Sequence, residues 1–449
     1  MLTITSQRQS GKTCDGVSRR DFMKVGGLCV GGLTLANLLQ LQAQGAVARK
    51  AGNKAVVMVW LEGGPSHHDM YDLKPEAPVE IRSQYQPIST VVPGMQICEL
   101  FPQQATIADK LAIIRSMHFQ QSDHGPPEEL LTGFDDKGRP GFGSVISRLQ
   151  AGGREPRLLP PYVQLSSLLA VPEKLNFPAY LGPAHKAFIP GKKSDSFALS
   201  REVTKERLRD RRELLRTFDG IRRDLDADEG VAAVDEFTAQ AMEMISTPQA
   251  RDAFDVSREP ASVRKLYGPA TQLLQARRLV EAGVKVVSLS FVGVEEGRKA
   301  VCPFGGGTWD THGNTYKCLG HLLPQLDLAV HALTTDLHDR GLADDVAVVF
   351  WGEFGREPKI TPNPGRTPGR GHWPAAGFAL MLGGGLKMGQ VVGATDAHGS
   401  RPNTQPYTPQ NVLATLYHVL GIDPATTLPD RQGRPIYLLD DRRKIDELI

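Results

Sequence analysis

Acidic and imidazole side chains recur in the glycine-rich loops of this chain, close to the ends of apolar runs. Glu62 and Glu353 each closely follow such a run, and Asp310, His312 and His372 lie among glycines. In open α/β sheets, ligand sites form at the carboxyl ends of the strands, where such side chains converge. Carboxylates and imidazoles gathered at one edge can hold a divalent metal ion that polarises a scissile group and activates water. We therefore predict that these five residues form a metal centre.

The composition of this set does not select one metal. Mixed nitrogen and oxygen ligands suit zinc, manganese or iron, whereas oxygen-rich sets suit calcium or magnesium. Each residue could also have a role that involves no metal. A loop histidine, for example, is commonly exposed to solvent or hydrogen-bonded to the backbone. Arg356 could bind an anion or neutralise Glu353. For the adjacent His67 and His68 we expect one capping group and one exposed group.

Five apolar runs predict the strands that would position these loops, and amphipathic stretches between them predict helices. The predicted strands are 55–61, 111–117, 284–291, 346–351 and 377–382. The predicted helices are 262–282, 315–340 with a break near Pro324, and one opened by Thr408 and Pro409 that runs to 420. Strands that alternate with helices predict a three-layer αβα sandwich with a mainly parallel sheet. The highly charged stretch at about 195–260 is interpreted as a solvated helical insertion.

The first residues predict export through the twin-arginine route. Arg19 and Arg20 stand within the sequence SRRDFMK, an apolar run follows at 25–39, and small residues cluster at 43–48. Such a leader is cleaved, so we divide the chain into a signal peptide at 1–48 and one α/β domain at 49–449. The expected location is the periplasm or another exported compartment. The expected partners include the export machinery, with no stable transmembrane anchor after cleavage.

Charge and cysteine content narrow the partners further. The net charge is +2 over 449 residues, which gives no reason to expect a nucleic-acid partner. Cys98, Cys302 and Cys318 remain after the leader. Three cysteines allow one disulfide at most, and Cys302 and Cys318 are the nearer pair. The alternative is that all three are buried free thiols.

Ordered sequence blocks carry a resemblance to a known family. The blocks are VWLEGGPSH at 59–67, WGEFGR at 351–356, GRGHWP at 369–374 and GQVVGATD at 389–396. Over roughly residues 54–425 the chain resembles the domain of unknown function 1501 family, which is similar to the alkaline phosphatase and sulfatase superfamily. The resemblance implies an alkaline phosphatase-like sandwich with metal at the strand ends. It places Glu62 at the first-strand ligand, Asp310 and His312 at the later pair, Glu353 in the Asp-His-Gly block and His372 at the last histidine.

The chain departs from the sulfatase pattern at the nucleophile. Leu130 to Gly133 keep the Leu-Leu-Thr-Gly block, but Asp123 stands where the modified cysteine is expected, without the following arginine. The resemblance therefore implies a metal-dependent hydrolase of phosphate or sulfate esters, acting on an anionic ester or sulfated polysaccharide, that lacks the sulfatase nucleophile. Ser122 or His124 would supply the nucleophile or proton transfer, and Arg356 or Arg370 would neutralise an oxyanion. The alternative is a non-catalytic envelope protein of the same fold that binds anionic polysaccharide.

Overall fold

The computed structural model describes most of the chain after the predicted leader. The described residues are 54–124, 127–135, 138–150, 159–165, 177–190, 248–293, 308–363 and 365–449. Asn53–Ile449 forms one compact unit. The predicted signal peptide, Cys302 and most of the predicted insertion at 195–260 lie outside the described residues, so those interpretations stay predictions.

A central sheet of seven strands organises the described residues, in the order β13-β4-β12-β7-β1-β6-β5. The pairings are parallel except those of β12, which runs antiparallel to both β7 and β4. Two-stranded pairs flank the sheet: β2 with β3, β8 with β11, β9 with β10, and β14 with β15. The strands are β1 (Ala55–Trp60), β2 (Pro87–Ser89), β3 (Gln96–Cys98), β4 (Leu111–Met117), β5 (Tyr162–Leu165), β6 (Val286–Ser290), β7 (Val346–Trp351), β8 (Gly355–Arg356), β9 (Thr361–Asn363), β10 (Arg366–Gly369), β11 (His372–Trp373), β12 (Gly377–Gly383), β13 (Gln390–Val392), β14 (Thr427–Pro429) and β15 (Pro435–Tyr437).

Helices cover both faces of this sheet and make the three layers. The α-helices of the described residues are α1 (His67–Met70), α2 (Pro102–Thr106), α3 (Glu128–Thr132), α4 (Phe142–Gln150), α5 (Pro248–Phe254), α6 (Ala261–Tyr267), α7 (Thr271–Glu281), α8 (Thr315–Asp339) and α9 (Pro409–Val419). Within the same residues, no helix combines the length and the apolarity that a membrane span requires.

Strand β1 shows how the two cores form. Val57 and Val59 belong to the core that α6, α7 and α8 cover, whereas Val56 and Met58 belong to the core under α3, α4 and α9. Successive side chains of a strand point to opposite faces, so a strand buried on both faces is apolar throughout. The continuous apolar runs that predicted the central strands have this origin, and the predicted three-layer α/β sandwich is confirmed.

The register brings several chain segments to one edge of the sheet. Trp60 at the end of β1 pairs with Ser290 at the end of β6 and Trp351 at the end of β7. Because β12 is antiparallel, its first residue, Gly377, lies at this same edge and pairs with Met117, the last residue of β4. The loops after β1, β4, β6 and β7 and the segment before β12 therefore meet there. We call it the carboxyl edge.

The five predicted strands are present, and two helix predictions need correction. The predicted helix at 262–282 is divided into α6 and α7, because the chain turns at Gly268, where φ is +51°, and Pro269 follows. In contrast, α8 continues through Pro324 without a break. Proline removes the N–H that would bond the carbonyl four residues earlier. That residue, Gly320, is exposed, so water can satisfy its carbonyl.

The thiols divide into two kinds. Cys98 is a free, buried thiol at the end of β3, and burial raises its pKa to about 12. Cys318 in α8 is disulfide-bonded. The alternative of three free thiols is therefore wrong.

Candidate metal centre

Four side chains from three chain segments meet at the carboxyl edge. His124 follows β4, Asp310 and His312 lie between β6 and α8, and His372 begins β11 just before β12. One ligand atom from each of these residues lies within 4.8 Å of the ligand atoms of the other three. We call this set the His/Asp cluster.

Asp310 is the centre of the His/Asp cluster. Its Oδ1 lies 3.2 Å from Nε2 of His124, 3.1 Å from Nε2 of His312 and 3.9 Å from Nε2 of His372. The Nε2 atoms of His312 and His372 are 2.8 Å apart. Two ligands of a tetrahedral zinc ion with bonds near 2.05 Å stand about 3.3 Å apart. The cluster therefore has a donor set and a spacing that could hold a divalent metal ion.

Charges at the cluster shift its pKa values in opposite directions. Burial raises the pKa of Asp310, but hydrogen bonds from His124 and His372 and the charge of Arg356 outweigh burial and lower that pKa well below the ordinary value. Burial lowers the pKa of His124, but Asp310 and Glu353 outweigh it and raise the pKa to about 9. For His312, burial dominates and lowers the pKa. Asp310 is thus held as an anion, the form that binds a cation.

Glu353 lies behind the cluster. Its carboxylate is buried, and Oε1 accepts hydrogen bonds from Nδ1 of His124 at 3.0 Å and from the backbone N–H of Gly63 at 3.0 Å. Oε2 accepts the Nε1–H of Trp60 at 2.8 Å. Since both oxygens are engaged in this way, Glu353 orients the His124 ring, and it is not among the four clustered residues. In this structure Glu353 is a partner of His124, and its ligand role stays a prediction.

Glu62 also lies outside the His/Asp cluster. Its Oε2 accepts a hydrogen bond from Oγ of Ser290 at 3.2 Å, at the end of β6. Its backbone carbonyl accepts the N–H of Trp309 at 2.7 Å, which ties the loop after β1 to the residue before Asp310. Of the five predicted ligands, the structure brings together Asp310, His312 and His372 and adds His124.

The two arginines of the site are buried and hold protein groups. Arg356 donates to Oδ1 of Asp310 at 2.8 Å and to the carbonyls of Gly63 and Gly64. Arg370 donates to Oδ2 of Asp69 at 2.9 Å. Arg370 therefore does not face a substrate as we expected, because its charge is matched inside the protein. Arg356 reaches the cluster through Asp310.

Ser122 contacts the cluster through its backbone. The residue is exposed, and its carbonyl accepts a hydrogen bond from Nδ1 of His372 at 3.0 Å. That bond places a proton on Nδ1 and directs Nε2 towards His312. A backbone carbonyl is a usual partner for the second nitrogen of a metal-binding histidine.

Glycines allow the chain segments to approach one another. At Gly63 φ is +115°, and a Cβ there would overlap the backbone N of Asp310. At Gly369 a Cβ would overlap the carbonyl of His312. The loops that carry the ligands therefore pack backbone against backbone, which a side chain would prevent.

The pair His67 and His68 differs from our expectation. Both rings are buried, and Nε2 of His67 lies 2.9 Å from the carbonyl of Gly399. Neither side chain is exposed, because the loop at 394–403 covers them. Burial lowers the pKa of both rings.

The family described as protein of unknown function (DUF1501) matches residues 53–449. The chain belongs to this family. The resemblance that the sequence blocks predicted is confirmed, and the match covers the whole compact unit of this DUF1501 protein.

Solved structures of other proteins are similar to the DUF1501 protein in fold. The lipoteichoic acid synthase LtaP from Listeria monocytogenes is 12% identical, with 87% of this chain and 76% of that chain covered and a TM-score of 0.33. The PsFucS1 sulfatase from Pseudoalteromonas sp. is 11% identical, with 86% and 70% covered and a TM-score of 0.35. The C-terminal periplasmic domain of EcEptC from Escherichia coli, in complex with Zn, is 12% identical, with 89% and 97% covered and a TM-score of 0.36. Comparison with curated protein sequences gives no match.

Proposed function

We propose that this DUF1501 protein is a metal-dependent hydrolase of phosphate or sulfate esters that is exported by the twin-arginine route. The observation that carries the proposal is the His/Asp cluster, in which four ligand atoms lie within 4.8 Å of one another. Titratable groups whose pKa values are strongly shifted by burial and by specific charge partners are concentrated at functional sites, which supports the proposal.

Asp310, His312 and His372 would hold the ion. Three protein ligands are the usual number in a catalytic site, because the remaining position must receive water or substrate. A divalent metal at this place would polarise the ester and lower the pKa of a nucleophile. Zinc, manganese and iron suit the nitrogen-rich set better than calcium or magnesium.

His124 then serves proton transfer. Its Nδ1 donates to Glu353, and the pKa of about 9 keeps a second proton on Nε2, the atom 3.2 Å from Asp310. A positioned imidazolium can give this proton to the ester oxygen as the bond to phosphorus or sulfur breaks. Arg356 keeps Asp310 in place from the buried side. The nucleophile is the Ser122 hydroxyl or water, and the Ser122→Ala variant described below distinguishes them.

One observation favours the non-catalytic alternative. Asp310 is engaged by Arg356 at 2.8 Å, an internal ion pair of the kind expected in a protein that only binds. In that case the same edge would take an anionic polysaccharide, and no ester would be cleaved.

The test combines metal analysis with a panel of esters. The chain without its leader is purified, its metals are measured by mass spectrometry, and aryl phosphates, aryl sulfates and sulfated polysaccharides are offered as substrates. The proposal expects about one transition metal per chain and turnover of one ester class. The double variant H312A/H372A should lose the metal, and H321A, a change to an exposed histidine on α8, should retain it.

The outcomes separate the alternatives. Metal that persists in the double variant would refute the assignment of the ligands. A metal-loaded protein that binds sulfated polysaccharide and cleaves no ester would establish the binding function instead. Export is tested separately, since replacing Arg19 and Arg20 by lysine should retain the precursor in the cytoplasm.

A further inference from the structure

We propose that Glu129 is a positioning residue that holds the loop after β4 so that two of the three histidines of the His/Asp cluster are in place. The inference rests on the proposed function, because it treats the cluster as a metal centre. It assigns a role to a buried carboxylate that touches none of the four clustered residues.

Glu129 lies in α3 and is 1% exposed. Its Oε1 accepts the backbone N–H of Gln120 at 3.0 Å, and its Oε2 accepts that of Gln120 at 2.9 Å and that of Gln121 at 2.9 Å. Two consecutive amides of one loop therefore bind one carboxylate. Hydrogen bonds to a charged acceptor are the stronger kind in proteins.

The residues just beyond these amides make the contacts of the cluster. The carbonyl of Ser122 receives Nδ1–H of His372, and the ring of His124 lies between Asp310 and Glu353. The start of the loop is tied at Phe119, whose N–H donates to the carbonyl of Pro374. Between that tie and the cluster, Glu129 supplies the acceptor for the loop backbone. Movement of the loop would therefore displace the His124 ring and, at the same time, remove the Ser122 carbonyl from Nδ1 of His372.

The burial of the Glu129 carboxylate is unfavourable for stability, which supports a functional role for this residue. Among the residues that the structure describes, no cation lies within ion-pair distance of Glu129. Burial raises the pKa of Glu129 to about 7, the two amides oppose the shift, and the nearby Asp135 adds to it. A carboxylate that is buried without a cation lowers stability, and the loop that it holds gives a reason for its presence.

The variant Glu129→Gln tests the proposal, because it keeps the shape and replaces one acceptor oxygen by an amide donor. In the full chain without its leader, we expect the affinity for zinc, measured by chelator competition, to fall ten- to a hundred-fold, as for other losses around a metal ligand. The ring resonances of His124 and His372 in the metal-free protein should shift. The matched control is Glu259→Gln, another buried carboxylate, which binds arginines at α7 and should leave zinc affinity and both rings unchanged.

Stability separates positioning from a merely structural role. Removing a buried charge should leave the melting temperature of E129Q above pH 7 equal to or above that of the wild type, while zinc binding weakens. Unchanged zinc affinity and unchanged ring resonances in E129Q would overturn the proposal. If the wild type binds no zinc, the proposed function fails, and the His124 and His372 resonances of the metal-free protein still decide the role of Glu129.

Discussion

Glu353 accepts a hydrogen bond from Nδ1 of His124 at 3.0 Å, and the opposite nitrogen of the same ring faces Asp310 at 3.2 Å. The imidazole thus lies between two carboxylates, one buried and one at the cluster. Both carboxylates favour the protonated ring, which raises its pKa to about 9. A residue placed in this way can store a proton near neutral pH.

Replacing Glu353 by glutamine should remove part of that stabilisation. The pKa of His124 in the metal-free protein is expected to fall from about 9 towards its ordinary value, because a neutral amide no longer favours the imidazolium. A titration of the ring resonances by NMR measures the change. Glu357→Gln, a change to a partly buried carboxylate outside the cluster, is the control. A His124 pKa that stays near 9 in E353Q would show that Glu353 does not control the ring.

Arg356→Lys should destabilise the protein and weaken metal binding. Lysine keeps the charge but cannot reach Asp310 and the carbonyls of Gly63 and Gly64 together. Losing these buried hydrogen bonds should cost about 1–3 kcal/mol of unfolding free energy. Urea denaturation measures this value. Arg401→Lys, at an exposed pair with Asp396, should change it by less than about 0.5 kcal/mol. Equal effects of the two variants would contradict the role given to Arg356.

Gly63→Ala should disturb the site more than a strained backbone alone can explain. A Cβ at Gly63 would overlap the backbone of Asp310, whereas Gly94 has a similar positive φ, +81°, and nothing within 4 Å of its Cβ position. Gly94→Ala should therefore cost about 1–2 kcal/mol for the left-handed backbone. Gly63→Ala should cost more and also lower zinc affinity. Thermal melts and chelator competition on both variants make the comparison, and identical behaviour would refute the close-packing argument.

The pH dependence of stability should reveal the titration of Glu129. Its pKa is about 7 in the folded protein and 4.5 ordinarily, so the folded state holds the proton more tightly than the unfolded chain. The free energy of unfolding of the wild type should therefore fall relative to E129Q as the pH rises from 4.5 to 7, by up to about 3 kcal/mol. Denaturation of both proteins between pH 4.5 and 8 checks the sign. A constant difference over this range would show that the carboxyl group does not titrate there.

Ser122→Ala separates two roles of one residue. The contact with His372 uses the carbonyl of Ser122, so the variant should bind zinc as tightly as the wild type. If the hydroxyl is the nucleophile, ester turnover should fall by about a thousand-fold or more, whereas attack by water would leave it within a few-fold. A loss of zinc in S122A would show that the loop itself had moved.

Much of the fold could be predicted because the central strands are buried on both faces. The run Val346 to Trp351 is apolar at every position for that reason, and its strand has the predicted bounds. The division of 262–282 was missed because amphipathic periodicity continues across Gly268. The short strands β5 and β13 carried too little apolar sequence to be recognised.

The site was predicted in part, for a similar reason. Asp310 and His312 lie two residues apart in a glycine-rich loop, and this local pattern can be recognised from a single sequence. Glu353 was expected as a ligand because it follows a strand. Its position after the strand does not show which groups its carboxylate contacts in the folded protein. The role of Glu129 depends on two backbone amides eight and nine residues earlier in the chain. Every residue except proline has a backbone amide, so the sequence does not indicate this contact.

Strand β12, which is antiparallel to its neighbours in the central sheet, has a consequence for the formation of the site. Because β12 enters the sheet at the carboxyl edge, the last histidine arrives from the opposite chain direction to the other three cluster residues. The shortest stretch that contains all four residues runs from 124 to 372, so a nascent chain that ends before His372 lacks the complete site. In the proposed metal centre, the full set of ligands would form only after this part of the chain has folded, and the ion pool around the newly folded chain would select the metal. If this chain folds before it crosses the membrane, the cytoplasm makes that choice.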